Sequence, residues 1–162
     1  MNGIPKIKSV IPHRWPILLI DRVAEVVPGR QLTAYKAVTA AEPCYQSLPD
    51  TAAEEDYAYP VALLLESWAQ SAVMLACWDT PNPDVLGGKV ELAASIKGVR
   101  LPAPVYPGQL VEHQVELLRR VDDAAVVNGR SSVGGSVVLE VGQAVVALRD
   151  AEVLRHPTEA SA

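Results

Sequence analysis

The chain has 162 residues, 49% of them apolar and 20% charged, a length that suits one domain around one core and leaves little room for two. Fourteen Lys and Arg against nineteen Asp and Glu give a net charge of −5, which argues against a nucleic-acid binder that works by releasing counterions from phosphates. Cys44 and Cys77 have neither C-x-x-C spacing nor the number needed for a disulfide framework, so two separate thiols in a reducing compartment and no metal are expected.

The first residues, MNGIPKIKSVIPHRWP, contain no continuous apolar stretch and no small-residue cleavage site, so a cytosolic location is expected. Ile17 to Val27 is rich in branched residues and ends at Pro28-Gly29, and Gln31 to Ala40 reads as a second strand, which together make a hairpin. Glu42 to Pro60 has no apolar period and holds Asp50, Glu54, Glu55 and Asp56. It reads as a loop long enough to be functional. Pro60 is placed to open a helix, since its missing N–H would have had no partner there. The run that follows, Val61 to Trp78, is apolar on nearly every face, so other structure must cover it. Glu66, Ser67, Gln70 and Ser71 in its middle argue against a bilayer crossing.

Four β-like runs follow: Val90 to Leu101, Gln109 to Arg120, Ala124 to Val133 and Ser136 to Arg149. They are separated by Pro102, Pro104, Pro107-Gly108, Asp122-Asp123 and Gly134-Gly135. Connections this short make antiparallel neighbours. A hairpin, one long apolar helix and four more strands form an α+β pattern. Its expected form is a single hotdog domain over residues 1–162, with a curved antiparallel sheet of five to six strands wrapped around one central helix and a frayed tail from about residue 156. A single sheet on one helix leaves an edge or face short of cover, so a dimer is expected.

Glu66 is the most informative residue. A carboxylate in the second turn of an apolar helix costs several kcal/mol if it is buried charged and alone. It therefore keeps its proton or takes a partner, and a Glu whose pKa is raised near a cleft is suited to general acid work. Gln70, one turn on along the same face, can orient it; the alternative is a solvated stripe of Glu66, Gln70 and Ser71. The unpaired N–H groups at Val61 and Ala62 can receive a polarised carbonyl oxygen. His13, in the run Pro12-His13-Arg14-Trp15-Pro16, reads as a packing or capping residue, with a general base as the alternative. His113 alternates with Val111, Val115 and Leu117 and reads as a satisfied core histidine. No two histidines have metal-ligand spacing, and there is neither a G-x-S-x-G elbow nor a Gly-rich phosphate loop.

Four segments carry a resemblance, spread over nearly the whole chain and in the same order. Pro12 to Gly29, PHRWPILLIDRVAEVVPG, resembles the P-H-R-x-P-x-L-L-x-D-R-V signature of bacterial FabZ-type β-hydroxyacyl-acyl-carrier-protein dehydratases. Ala37-Val38-Thr39 followed by Glu42-Pro43-Cys44-Tyr45-Gln46 is similar to that family's K-N-V-T/S-x-N-E-P-F-F-Q. Pro60 with Leu63 to Gln70, LLLESWAQ, resembles its P-G-V-L-x-x-E-A-M-A-Q helix. Lys97 to Leu101 with Pro104 to Gly108 resembles A-R-F-K-R-P-V-x-P-G-D. The resemblance implies a hotdog fold, a dimer, and substrates carried on the phosphopantetheine of an acyl carrier protein, with no cofactor of the protein's own.

In that family a histidine of a G-H-F-P-G motif removes the α-proton, the helix Glu protonates the departing hydroxyl, and a backbone N–H at the helix start polarises the thioester. The Glu carries over to Glu66 with Gln70 behind it, and the helix start to Val61 and Ala62 with Tyr59 ahead of them. The histidine does not carry over: Ser47-Leu48-Pro49-Asp50 stands in its place, no histidine lies between His13 and His113, and no Phe occurs at all. Asp50, Glu54, Glu55, Asp56, Tyr57 or Tyr59 could take over as base, or could form a solvated acidic flap. The expected function is a divergent dehydratase acting on carrier-bound 3-hydroxyacyl or polyketide thioesters. The alternatives are a non-catalytic subunit paired with an active homologue, and a hotdog thioesterase. An acidic carrier protein would dock on Arg14, Lys97 and Arg100, with Arg119 and Arg120 as further candidates. Neither nucleic acid nor membrane is an expected partner.

Overall fold

Turn chemistry sets the strand pairing. In the computed structural model, which describes residues 2–84, 89–122 and 124–150, Pro28-Gly29 closes a tight turn in which the Arg30 N–H donates to the Val27 carbonyl and Gly29 takes φ 68°. Gly134 and Gly135 both adopt positive φ, 56° and 86°, as a two-residue hairpin turn between twisted strands requires. These hairpins and the longer Pro-rich connection give six antiparallel strands: β1 (Arg22–Val27), β2 (Gln31–Ala37), β3 (Lys89–Arg100), β4 (Leu110–Val121), β5 (Ala124–Val133) and β6 (Ser136–Asp150). They form one open sheet in the order β1-β2-β4-β5-β6-β3. The expected α+β hotdog arrangement is present with six strands, and β1 and β3 are its edges. The expected tail from about residue 156 lies outside the described residues.

One long helix, Val61–Ala76, packs on the central strands β2, β4, β5 and β6. No helix among the described residues is long and apolar enough to cross a membrane. Trp68 anchors the helix: its ring is fully buried and its indole N–H donates to the Gln114 carbonyl at 3.3 Å. That approach needs Gly129, because a Cβ there would collide with the Gln114 carbonyl oxygen and lie 2.9 Å from Trp68 Nε1. At the other end of the helix the Arg120 guanidinium donates to the Ala76 carbonyl at 2.9 Å, a cation on the negative end of the dipole.

Two departures from the sequence reading shape the site. A short helix, Ile4–Val10, precedes the sheet, so it is α1 and the long helix is α2. Pro5 lies in its first turn, and Ile7 and Val10 are fully buried. Seven residues are too few to hold a helix by propensity, so tertiary packing supplies it. Strand β1 begins at Arg22 rather than Ile17, because the backbone of residues 17–19 bonds to a helix side chain instead of a neighbouring strand. Gln70 of α2 donates to the Ile17 carbonyl at 2.7 Å and accepts from the Leu19 N–H at 2.9 Å.

Candidate active site around Glu66

The helix dipole and the exposure of its first turn both point to the N-terminal end of α2. Pro60 caps it, its carbonyl accepting from the Leu63 and Leu64 N–H groups at 2.9 and 3.0 Å. Val61 and Ala62 are exposed, and among the described residues their N–H groups have no acceptor, as expected of a first helical turn.

One turn further on, Glu66 is more open than the apolar sequence around it suggests: its side chain is 36% exposed. The alternative of a solvated stripe does not hold, since Gln70 and Ser71 are buried at 1% and 0% exposure. Gln70 uses one amide to fix three groups: it holds the Ile17 carbonyl and the Leu19 N–H, and its Nε2 donates to Glu66 Oε1 at 2.8 Å. The carboxylate is thereby tied through Gln70 to the chain segment that leads into β1.

The same segment brings His13 to the site. Its Nε2 lies 3.5 Å from Glu66 Oε1, and its side chain is 22% exposed. Arg14 fixes the turn that carries the ring: its guanidinium donates to the carbonyls of Lys8, Ile11, His13 and Pro83 at 2.8 to 3.3 Å. Sequence reading took His13 for a packing or capping residue. The signal that pointed to Glu66 was local, whereas this contact spans more than fifty positions.

The loop before α2 is anchored by an ion pair absent from the sequence reading. Lys36 and Glu42 meet at 2.6 Å with side chains 8% and 10% exposed, and Lys36 also donates to the Ala37 carbonyl. The Tyr59 hydroxyl donates to the other Glu42 oxygen at 3.2 Å. Burial first, and then the Glu42 charge, raises the Tyr59 pKa above its ordinary value. Burial likewise pushes Tyr45 up to about 12, so both phenols stay protonated. Beside this anchor lies a groove of about 590 Å³ whose walls include Trp15, Pro16, Glu42 and Tyr45. The acidic residues of the loop are spread over its surface: Asp50, Glu54, Glu55 and Asp56 are exposed, and Asp56 caps its own turn by accepting from the Ala53 N–H.

His113 is fully buried, with Nε2 2.9 Å from Ser67 Oγ and Nδ1 2.7 Å from Ser131 Oγ. Burial lowers its pKa to about 3, and it is the satisfied core histidine expected from its strand position. Of the basic docking candidates, Lys97 is exposed on edge strand β3, and Arg100 beside it pairs with Glu140 at 2.6 Å on the outer face of the sheet. Arg119 is exposed on β4, and Arg120 is engaged at the end of α2.

A 3-hydroxyacyl-[acyl-carrier-protein] dehydratase FabZ from Myxococcus xanthus is 35% identical over 138 residues, covering 85% of this chain and 86% of its own length. The chain belongs to the FabZ family. A FabZ from Nitratidesulfovibrio vulgaris is 36% identical over 138 residues, covering 85% of both chains. One from Roseiflexus castenholzii is 35% identical over 152 residues, covering 91% of this chain and 97% of the relative. No protein-family model matches the chain. Among solved structures, the dehydratase heterocomplex ApeI:P from Xenorhabdus doucetiae contains a chain that aligns with TM-score 0.74 at 16% identity, over 94% of this chain and 97% of that one. A mutant of the fluoroacetyl-CoA-specific thioesterase FlK aligns with TM-score 0.62 at 15% identity, over 81% and 93%. At such identities these likenesses establish the hotdog fold that this FabZ relative shares.

Proposed function

We propose that this FabZ-family chain dehydrates 3-hydroxyacyl or polyketide thioesters presented on an acyl carrier protein, in the cytoplasm, with Glu66 as the group that protonates the departing hydroxyl. The observation that carries the reading is the fixing of Glu66 Oε1 by Gln70 at 2.8 Å, which leaves Oε2, without a hydrogen-bond partner among the described residues, to face a substrate. In this reading the C3–O bond breaks, the hydroxyl leaves as water with the proton from Glu66, the C2 proton passes to a general base, and the C2–H electron pair closes the C2–C3 double bond. The Val61 and Ala62 N–H groups at the positive end of α2 would receive the thioester oxygen, and Tyr59 would hold the approach to them through its bond to Glu42. No cofactor of the protein's own is required, because the phosphopantetheine arm belongs to the carrier. Lys97 and Arg100, with Arg14 beside the site, are the proposed contacts for an acidic carrier surface.

A second reading is favoured by one specific observation: Ser47-Leu48-Pro49-Asp50 stands where the resemblance to the FabZ-type signature implies a histidine. The chain would then be one half of a heterodimer whose other subunit brings that histidine, whereas the first reading needs a homodimer or nothing more. The test is to incubate the purified chain with 3-hydroxybutyryl- and 3-hydroxydecanoyl-loaded carrier protein and to weigh the acyl group by mass spectrometry. Loss of one water supports the first reading. Loss of water only after addition of a histidine-bearing homologue supports the second. Release of the free hydroxy acid would replace both with a thioesterase.

A further inference from the structure

We infer that the groove beside the Lys36–Glu42 anchor receives the acyl tail of the substrate, and that Trp15 is the residue that makes the chain prefer medium-length tails to short ones. This inference rests on the dehydration reading above and deepens it, since it names the substrate class of the same site: apolar 3-hydroxyacyl chains long enough to reach past Glu66.

Position carries it first. The groove, of about 590 Å³, is built from two segments: Trp15 and Pro16 from the N-terminal turn, and Ala40, Ala41, Pro43 and Tyr45 from the loop before α2. Each segment is tied to one half of the candidate site. Two residues before Trp15, the His13 ring lies 3.5 Å from the Glu66 carboxylate, and two residues after it the Ile17 carbonyl accepts from Gln70 at 2.7 Å. Two residues of chain span at most about 7 Å, so Trp15 is carried close beside the proton donor. On the loop segment, Glu42 accepts from the Tyr59 hydroxyl at 3.2 Å, and Tyr59 leads directly into Pro60 and the Val61 and Ala62 N–H groups. A substrate whose carbonyl rests at the start of α2 and whose hydroxyl faces Glu66 therefore finds this groove next to the carbons beyond C3.

The lining decides which part of the substrate enters. Rings and short aliphatic side chains make up its walls, and among the described residues no lysine or arginine lines it. Its charged member, Glu42, is negative and already paired with Lys36, so nothing on these walls holds the phosphate of a carrier arm. An apolar tail leaves water there at no polar cost. Trp15 is the unusual wall. It is 86% exposed, so its ring adds little packing to the fold, yet the backbone that carries it is closed on itself. The Ile17 and Leu18 N–H groups donate to the Arg14 carbonyl at 2.9 and 3.0 Å, and the Arg14 guanidinium donates to the Ile11 and His13 carbonyls at 2.9 and 2.8 Å. The loop wall is fixed as well: Tyr45 is 7% exposed, with its ring 5.6 Å from that of Tyr57. A slot whose walls are already in place spends little ordering entropy when a chain enters it.

The experiment reads binding apart from turnover. 3-Hydroxybutyryl- and 3-hydroxydecanoyl-pantetheine amides are titrated by calorimetry into the full chain as wild type, Trp15→Ala, Trp15→Phe and Ala41→Trp. Each added methylene is worth up to about fourfold when fully buried, so wild type is expected to bind the decanoyl amide at least about thirtyfold more tightly than the butyryl amide. Trp15→Ala is expected to cut that preference about tenfold and Trp15→Phe to keep it within about threefold. Ala41→Trp, which fills the groove from the loop segment, should cut it as Trp15→Ala does. A preference that Trp15→Ala leaves unchanged would overturn the proposal, whether neither amide is affected or both weaken equally, as they would if the groove held the pantetheine arm. Dissociation of the wild-type oligomer by Trp15→Ala in sedimentation velocity would also overturn it, by giving the groove to a second copy of the chain. The dehydration reading fails separately: if carrier-bound substrates of both lengths yield no enoyl product while the preference and its loss are seen, the groove assignment stands and that reading falls.

Discussion

Glu66 and Ser67 are adjacent in α2, yet they belong to two polar clusters of opposite character. Ser67 points into the sheet, where with His113 and Ser131 it forms a closed set at 0% exposure. Its hydroxyl donates to the Leu64 carbonyl, so His113 Nε2–H donates to Ser67 Oγ and Nδ1 accepts from Ser131. Every atom has a partner and the imidazole is neutral. Glu66, about 100° around the helix, lies in a cluster that is only half closed: Gln70 is bonded on all sides, while the carboxylate keeps one oxygen outward and His13 stands beside it at 3.5 Å. A histidine on an apolar strand face and a histidine in an N-terminal turn look alike as letters. What separates them is whether the surroundings complete their hydrogen bonds and shut out water.

The contrast can be broken first at Glu66. Glu66→Gln keeps the shape and removes the proton, so dehydration per folded molecule is expected to fall about 10²- to 10⁴-fold, or roughly 3 to 5 kcal/mol of barrier. Urea unfolding should move by less than about 0.5 kcal/mol, because the side chain is partly exposed. The core cluster should show the inverse pattern. His113→Leu fills the space but leaves the buried Ser131 hydroxyl without its acceptor and removes the donor to Ser67 Oγ, so urea unfolding should report a loss of about 2 to 3 kcal/mol. Turnover per folded molecule should be unchanged.

Acid sharpens the same contrast. The His113 pKa lies near 3 in the folded chain and near 6.5 unfolded. As pH falls below 6.5 the unfolded chain takes up this proton and the folded chain does not. Stability is therefore lost toward acid, at up to about 1.4 kcal/mol per pH unit. The difference in unfolding free energy between wild type and His113→Leu should shrink by about 2 to 3 kcal/mol between pH 6.5 and 4.5. A constant difference would mean that the imidazole is already charged in the fold. The smallest effect is expected at Gln70: Gln70→Ala leaves the carboxylate in place but unfixed, and should lower kcat about tenfold and stability by about 1 to 2 kcal/mol, the second read by urea unfolding.

How much of this was legible in the sequence varies with how local the determinant is. The six strands and α2 follow from alternation, turn dipeptides and a proline ahead of an apolar run, and β5 matches its reading at both ends. His113 followed from period-two placement alone. The late start of β1 was hidden because the residues from Ile17 on are strand-like in composition, and only a helix fifty residues away diverts their backbone bonds to Gln70. Helix α1 was hidden because burial rather than propensity forms it. The Lys36–Glu42 anchor left a readable trace, since Lys36 shares a strand face with the buried Leu32 and Ala34. A lysine on such a face requires a partner. The contact of His13 with Glu66 left no such trace, because nothing local tells where an N-terminal turn will pack.

The most direct measurement is a crystal structure of the chain with a 3-hydroxyacyl-pantetheine amide, a non-hydrolysable mimic of the carrier-bound substrate. The account predicts the β-hydroxyl within about 3.5 Å of Glu66 Oε2, with the Gln70 bond to Oε1 intact and the amide oxygen at the Val61 and Ala62 N–H groups. A ligand bound with its hydroxyl away from Glu66, or a Glu66 carboxylate turned from it, would contradict the assignment of this residue as the proton donor.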